Sequence, residues 1–230
     1  MTFTPGRLDG SPACGAACAE FLVARGEIGH LTSLRYLLAR KRVGDRNLPV
    51  ILESPGGYLL GATLTGRLWR KLGVTAIVAK AVPTCGHSGS RACPAADRAD
   101  GVIAYRLAGN AKCASACPVV CAGATGRVAG PGARFGVHAS SIDEDSALGR
   151  AAASLGVTSQ SVAKETEEDL ASIFLEFGVD PALAQRYGRT PARSMDWLKP
   201  DETLRYRLVS KPGEAPLPPR LAAALKAAGR

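Results

Sequence analysis

The stretch from Leu48 to Val82 does most to limit what this chain can fold into. Leu48–Leu52 (LPVIL) is a short apolar run of the kind buried in a sheet, and Ser54-Pro55-Gly56-Gly57 breaks it. There the proline fixes φ and the glycines admit conformations closed to other residues. Tyr58–Leu72 then reads as a helix in which Gly61 and Gly66 allow close packing, and Val74–Val82 (VTAIVAKAV) as a further strand. Strand, glycine turn, helix, strand is a βαβ unit, which places the chain in the α/β class.

The flanking segments extend that pattern. Residues 1–18 read as a leader, loose over its first 13 residues, after which Ala19–Ala24 is a strand. His30–Arg42 is a helix with Leu31, Leu34, Leu37 and Leu38 on one face and basic residues towards its C-terminus. Residues 83–110 interrupt the alternation: they are rich in Cys, Gly, Ser, Arg and Asp, only Gly101–Leu107 looks like strand, and they read as an insertion able to cover a site. Beyond it come short strands at Arg127–Ala129 and Arg134–His138. A long amphipathic helix follows over Thr158–Phe177, with Leu170, Ile173, Phe174 and Phe177 on one side. A helix over Pro181–Tyr187, another over Pro200–Arg207 and a last strand at Leu208-Val209 complete the domain, which spans 19–209. Residues 210–230 read as a flexible basic tail with a small helix.

With 230 residues, 46% of them hydrophobic and 21% charged, the chain can bury one sizeable core. Its net charge of +9 would suit an anionic partner, but the Lys and Arg residues are spread along the chain and aromatics are too sparse to interleave with them. A solvated basic surface is therefore expected rather than nucleic-acid binding. No apolar run is long enough to span a membrane, and the start MTFTPGRLDG lacks an apolar signal core.

Chemistry concentrates between Gly109 and His138, in GNAKCASACPVVCAGATGRVAGPGARFGVH. A helix beginning at Ala111 would carry Pro118 in its interior, whereas one beginning near Ala116 holds it in the tolerated first turn. That puts Ser115 at the N-cap. The residue reads either as a plain cap or as a nucleophile whose oxyanion faces free N–H groups, with His138 as its base. The glycine N–H groups of the Ser54–Gly57 turn can donate to the same oxyanion together with the N–H of Ala116.

Taken together, Ser115 and His138 in that order, the SPGG turn within ILESPGG and GATLTGRLWRKLG, and SMDWLKPDETLRYRLV near the end resemble the Clp-type serine peptidases, the ClpP-like branch of the ClpP/crotonase fold. The CASAC motif around the serine is similar, more narrowly, to ClpP-like proteins of proteobacteria assigned to the periplasm. The resemblance covers most of 19–209 and implies repeated ββα units with a long handle-like helix. It implies Ser115 as nucleophile, His138 as general base, Gly57 and Ala116 as oxyanion donors, Gly56 and Tyr58 as substrate-binding residues, and Asp196 as the third triad member. Asp180 and Asp201 are the rivals of Asp196, whose ordinary reading is a helix cap or solvated charge. The implied activity is serine endopeptidase, with peptide or unfolded protein as substrate, a homo-oligomeric assembly, and neither cofactor nor metal. Tyr58 stands where a small residue is usual, Arg207 replaces a usual glycine, and the insertion at 83–110 has no counterpart. Two alternatives stand beside this reading: a catalytically inactive ClpP-like binding or assembly module, and crotonase-like acyl-CoA chemistry.

Seven cysteines favour an oxidising compartment, and the resemblance implies that it is the periplasm rather than the cytoplasm. Cys113 lies before the helix and Cys117 within it, so Cys113 is read as the partner of Cys85 or Cys93, pinning the insertion over the site. Zinc is disfavoured, because no CxxC occurs and His30 and His87 lack finger spacing. Buried free thiols remain the competing reading for Cys117 and Cys121.

Overall fold

The computed structural model describes residues 1–9, 19–84, 102–141, 150–151, 154–156, 158–211 and 213–229. Cys14, Cys18, Cys85, Cys93 and His87 lie outside them. The chain builds a seven-stranded sheet in the order β5-β6-β1-β2-β3-β4-β8 and a three-stranded sheet in the order β10-β9-β7. The large sheet comprises β1 (Thr2–Leu8), β2 (Glu20–Arg25), β3 (Val50–Glu53), β4 (Thr75–Val78), β5 (Lys80–Pro83), β6 (Ile103–Ala108) and β8 (Gly126–Ala129). The small one comprises β7 (Lys112–Ala114), β9 (Arg134–Val137) and β10 (Asp196–Leu198).

Its centre is the expected βαβ unit. β2, β3, β4 and β8 run parallel. The helices α1 (Thr32–Arg42), α2 (Leu59–Lys71) and α3 (Cys117–Gly123) lie in the connections between them. Parallel strands covered on both faces must be apolar on both, and the two-residue period shows where each side chain goes. Leu22, Ala24, Val50, Leu52, Ala76 and Val78 enter one core with Trp69, Val119 and Phe174. Phe21, Val23, Ile51 and Ile77 enter a second core on the opposite face. Val74–Val82 is not one strand: after β4 the chain turns at Ala79, and β5 pairs with β6 at the far edge.

Two expectations about the ends of the chain are corrected. Residues 2–8 are a strand and not a loose leader: β1 pairs antiparallel with β2 and parallel with β6, and Phe3 and Leu8 are buried. The tail is docked, because α7 (Pro219–Ala227) buries Leu221 and Leu225 against the second core beside Tyr105 and Leu107. Its apolar spacing, short as it is, meets an uncovered sheet face. On α1 the leucines face outward, with Leu31, Leu34 and Leu38 at 58%, 49% and 52% exposure. The helix buries Thr32, Tyr36 and Ala39 instead. Tyr36 wins the interior because its ring meets both Phe3 and Trp69, at centroid distances of 5.5 and 5.7 Å.

The long helix, α4 (Ser159–Glu176), starts at Thr158, which forms a reciprocal capping box with Ser161, and buries Leu170 and Phe174. It packs on α5 (Leu183–Arg189). α6 (Pro200–Arg205) follows β10, and Leu208-Val209 is a turn rather than a strand, its successor Ser210 donating to the Arg127 carbonyl at 2.8 Å. No described helix is long and apolar enough to cross a membrane.

The contact that places the site is between α2 and α3. A Cβ on Gly123 would lie 2.3 Å from the Gly66 Cα, so the two helices touch backbone to backbone. That closeness brings the start of α3 beside the start of α2, where the Ser54–Gly57 turn lies. Docking of α7 makes a stability prediction: Leu221→Ala, at a fully buried position, should lower unfolding free energy by about 2–5 kcal/mol. Denaturant unfolding monitored by circular dichroism would show this as a lower midpoint; an unchanged midpoint would mean the tail is not packed.

Candidate active site

Ser115 is not a helix cap. The N-cap of α3 is Ala116, and no side chain caps that helix, while Pro118 occupies its first turn as expected. Ser115 lies one residue earlier, at the end of β7, with a left-handed φ of 58°. A non-glycine residue in that region costs roughly 1–2 kcal/mol and needs its surroundings to hold it there. Three contacts do so. The Ser115 N–H donates to the Gly136 carbonyl of β9 at 2.8 Å, and the Tyr187 hydroxyl donates to the Ser115 carbonyl at 2.9 Å. Gly56 packs so closely that a Cβ there would sit 2.4 Å from the Ser115 Cβ and 2.7 Å from the Ala114 carbonyl oxygen.

Ser54 shapes the opposing turn. Its buried hydroxyl donates to the Gly26 carbonyl at 2.8 Å and accepts from the Gly56 N–H at 3.1 Å. Gly56 and Gly57 adopt φ of 110° and 131°, a region in which only glycine is comfortable. The Gly56 carbonyl accepts from Ile28 N–H and the Tyr58 N–H donates to the Ile28 carbonyl, each at 2.7 Å. The Gly57 N–H, between them, is left over. Among the described residues neither it nor the Ala116 N–H meets an acceptor.

These groups share one cleft of about 360 Å³, lined by Gly57, Tyr58, Ser115, Ala116, His138 and Tyr187 among others. Ser115, His138, Gly57 and Ala116, four of the residues singled out in the sequence, therefore line one cleft. Ser115 and His138 are each half-buried and reach solvent through the cleft. Tyr58 is exposed at the rim, its ring tilted against that of His30 at a centroid distance of 3.8 Å, which brings His30 to the edge of the site.

Asp196 does not join the imidazole. It pairs with Val137 in the β9–β10 ladder, next in sequence to His138, but its carboxylate accepts from Arg186 Nε at 2.8 Å and from a second guanidinium nitrogen at 2.5 Å. Arg186 also donates to Glu202, at 2.7 Å. A guanidinium fork satisfies a carboxylate better than one imidazole N–H can, which accounts for the orientation. Of the rivals, Asp180 caps the Ala182 N–H at 2.9 Å and Asp201 is exposed in the first turn of α6. Among the described residues no ion pair joins His138 to a carboxylate. His138 Nδ1 lies 3.0 Å from the Ala139 carbonyl, and Ala139 is itself anchored by donating to the Thr190 carbonyl at 2.8 Å. With the proton on Nδ1, that contact is a donation, and Nε2 is left as an acceptor.

Cys113 is bonded to Cys117, not to the insertion, and Cys121 is a buried free thiol. Burial pushes the Cys121 thiol up to about 12, which leaves it neutral and inert. Burial also raises the Tyr187 phenol, keeping it a neutral donor to Ser115. Tyr187, Ala139 and Gly136 are the site residues that sequence reasoning missed; two act through carbonyls that any residue carries, and Tyr187 reads simply as the end of a helix.

No family model matches the sequence, and no curated protein matches it. Among solved structures the chain is similar to a ClpP1 mutant from Listeria monocytogenes, with 15% identity and a TM-score of 0.48 over 81% of this chain and 86% of that one. It is also similar to a mutant of the 1510-N membrane-bound stomatin-specific protease, with 14% identity and a TM-score of 0.46 over 82% of this chain and 75% of that one.

The close approach of Gly56 to Ser115 sets the next expectation. Gly56→Ala combines a side chain at positive φ with a collision against Ser115 and should destabilise the fold by at least about 1–3 kcal/mol. A thermal melt indistinguishable from that of the unsubstituted chain would show that the turn and the serine are not in contact.

Proposed function

We propose that this protein is a serine endopeptidase of Clp type, in which Ser115 attacks a peptide carbonyl. The observation that carries the reading is the left-handed Ser115 held against the Gly56-Gly57 turn, in one cleft with His138. His138 Nε2 takes the hydroxyl proton as Ser115 Oγ bonds to the carbonyl carbon, and the N–H groups of Gly57 and Ala116 receive the oxyanion. The tetrahedral species collapses when His138 returns the proton to the leaving amine. Water, deprotonated by the same imidazole, then releases the acyl group from Ser115. Fixing the imidazole tautomer, the task usually given to a triad acid, falls here to the Ala139 carbonyl.

The substrate is an extended peptide or unfolded protein segment, lying as an added strand beside the Gly56-Gly57 turn with Tyr58 at its rim. The working form is a homo-oligomer in an oxidising compartment, the periplasm. The engagement of Asp196 by Arg186 favours one second reading, a ClpP-like module that binds or assembles without catalysis.

A fluorophosphonate probe separates the two. The chain should be labelled at Ser115, and Ser115→Ala and His138→Ala should lose at least about 10³-fold of the labelling rate. Asp196→Asn, which costs roughly 10⁴-fold where the acid orients the histidine, should here cost less than about tenfold. Absence of labelling in the unsubstituted, folded chain would support the non-catalytic module.

A further inference from the structure

The disulfide between Cys113 and Cys117 closes directly over Ser115, joining the residue two before it to the residue two after it. Cys113 belongs to β7 and Cys117 opens α3, so the bond spans the strand-to-helix turn whose one left-handed residue is Ser115. It also reaches both proposed oxyanion donors through short links. Cys113 bridges to Ser54, with Ser54 N–H donating to the Lys112 carbonyl at 2.9 Å and Ala114 N–H to the Ser54 carbonyl at 3.0 Å. Ser54 in turn holds the Gly56-Gly57 turn. Cys117 is covalently next to Ala116, the other donor.

We infer that this disulfide is a positioning clamp for the nucleophile, so that the chain reaches its full peptidase rate only when it folds under oxidising conditions. The inference rests on the reading of Ser115 as nucleophile. The hydrogen bonds from Ser115 N–H and to its carbonyl, with the packing of Gly56, hold the left-handed φ non-covalently, and such contacts open transiently, carrying Oγ and the Ala116 N–H out of register. A covalent link across the turn removes that freedom. Closing the clamp takes two electrons and two protons from the Cys113 and Cys117 thiols and passes them to a disulfide oxidant, which leaves as a dithiol. Once the chain is folded, both cysteines are fully buried and a dithiol has no path to the sulfurs. The state of the clamp is therefore set during folding and is not toggled afterwards. Cys121, the buried thiol four residues beyond Cys117, does not exchange with it, because its neutral form is a poor nucleophile.

The test compares the full chain, folded in air, with Cys113→Ala/Cys117→Ala, using fluorophosphonate labelling at Ser115, the pH profile of that labelling, and thermal melting. Alkylation and mass spectrometry, before and after unfolding in a reductant, confirm the bond in the unsubstituted chain. Below its melting temperature the double variant should label about 5- to 30-fold more slowly, the factor expected for losing a preset left-handed turn. The pH midpoint of labelling should stay in place, since His138 is untouched. Should the double variant fail to melt cooperatively, Cys113→Val/Cys117→Ala, which restores apolar volume in β7, carries the same comparison. Equal labelling rates with and without the bond would overturn the clamp while leaving the peptidase reading intact. Failure of the folded, air-oxidised chain to label at all would overturn both.

Discussion

The arrangement turns on one contact, the wedge of Gly56 against Ser115. A serine does not stay at positive φ by preference, and a glycine at φ of 110° with no room for a methyl group is the complementary half of the same constraint. Each turn prevents the other from relaxing. Their meeting leaves two N–H groups, those of Gly57 and Ala116, without acceptors among the described residues, beside a hydroxyl. Unpaired donors held at a rigid backbone are what a developing oxyanion requires, because they need not reorganise when charge appears.

The rest of the chain serves that contact at increasing distance. Glycines in α2 and α3 let the helices approach until the turns preceding them meet, and the parallel strands β3 and β4 fix the direction from which α2 arrives. The three-stranded sheet supplies the other side: β9 delivers the Gly136 carbonyl to Ser115 and ends beside His138. β10 flanks β9 and is tied to α5 and α6 through Arg186, whose fork gathers Asp196 and Glu202. The same α5 carries Tyr187 to the Ser115 carbonyl. The Asp196 carboxylate thus holds together the elements that present the histidine.

What could be read beforehand follows from how local each signal is. The βαβ unit was legible because LPVIL, the SPGG break and the helix after it are each encoded within a few residues, and Pro118 placed the start of α3 to within one residue. Ser115, His138, Gly57 and Ala116 could be proposed together because motif order carried them. The role of Asp196 could not be read, since its partner depends on where α5 sets Arg186, ten residues away in sequence. Nor could the outward leucines of α1: apolar spacing named Leu31, Leu34 and Leu38, but the interior was decided by Tyr36 meeting Phe3 and Trp69 from other elements. β1 and α7 escaped for the same reason, because each is ordered by a sheet face or edge supplied by distant strands.

The proposed chemistry requires that one hydroxyl and two main-chain amides surround a single carbonyl. A crystal structure of the chain after reaction with a fluorophosphonate measures it directly. Phosphorus should be bonded to Ser115 Oγ, with the phosphoryl oxygen about 2.7–3.1 Å from the nitrogens of both Gly57 and Ala116. A phosphoryl oxygen pointing into solvent, or phosphorus on any other residue, would contradict it.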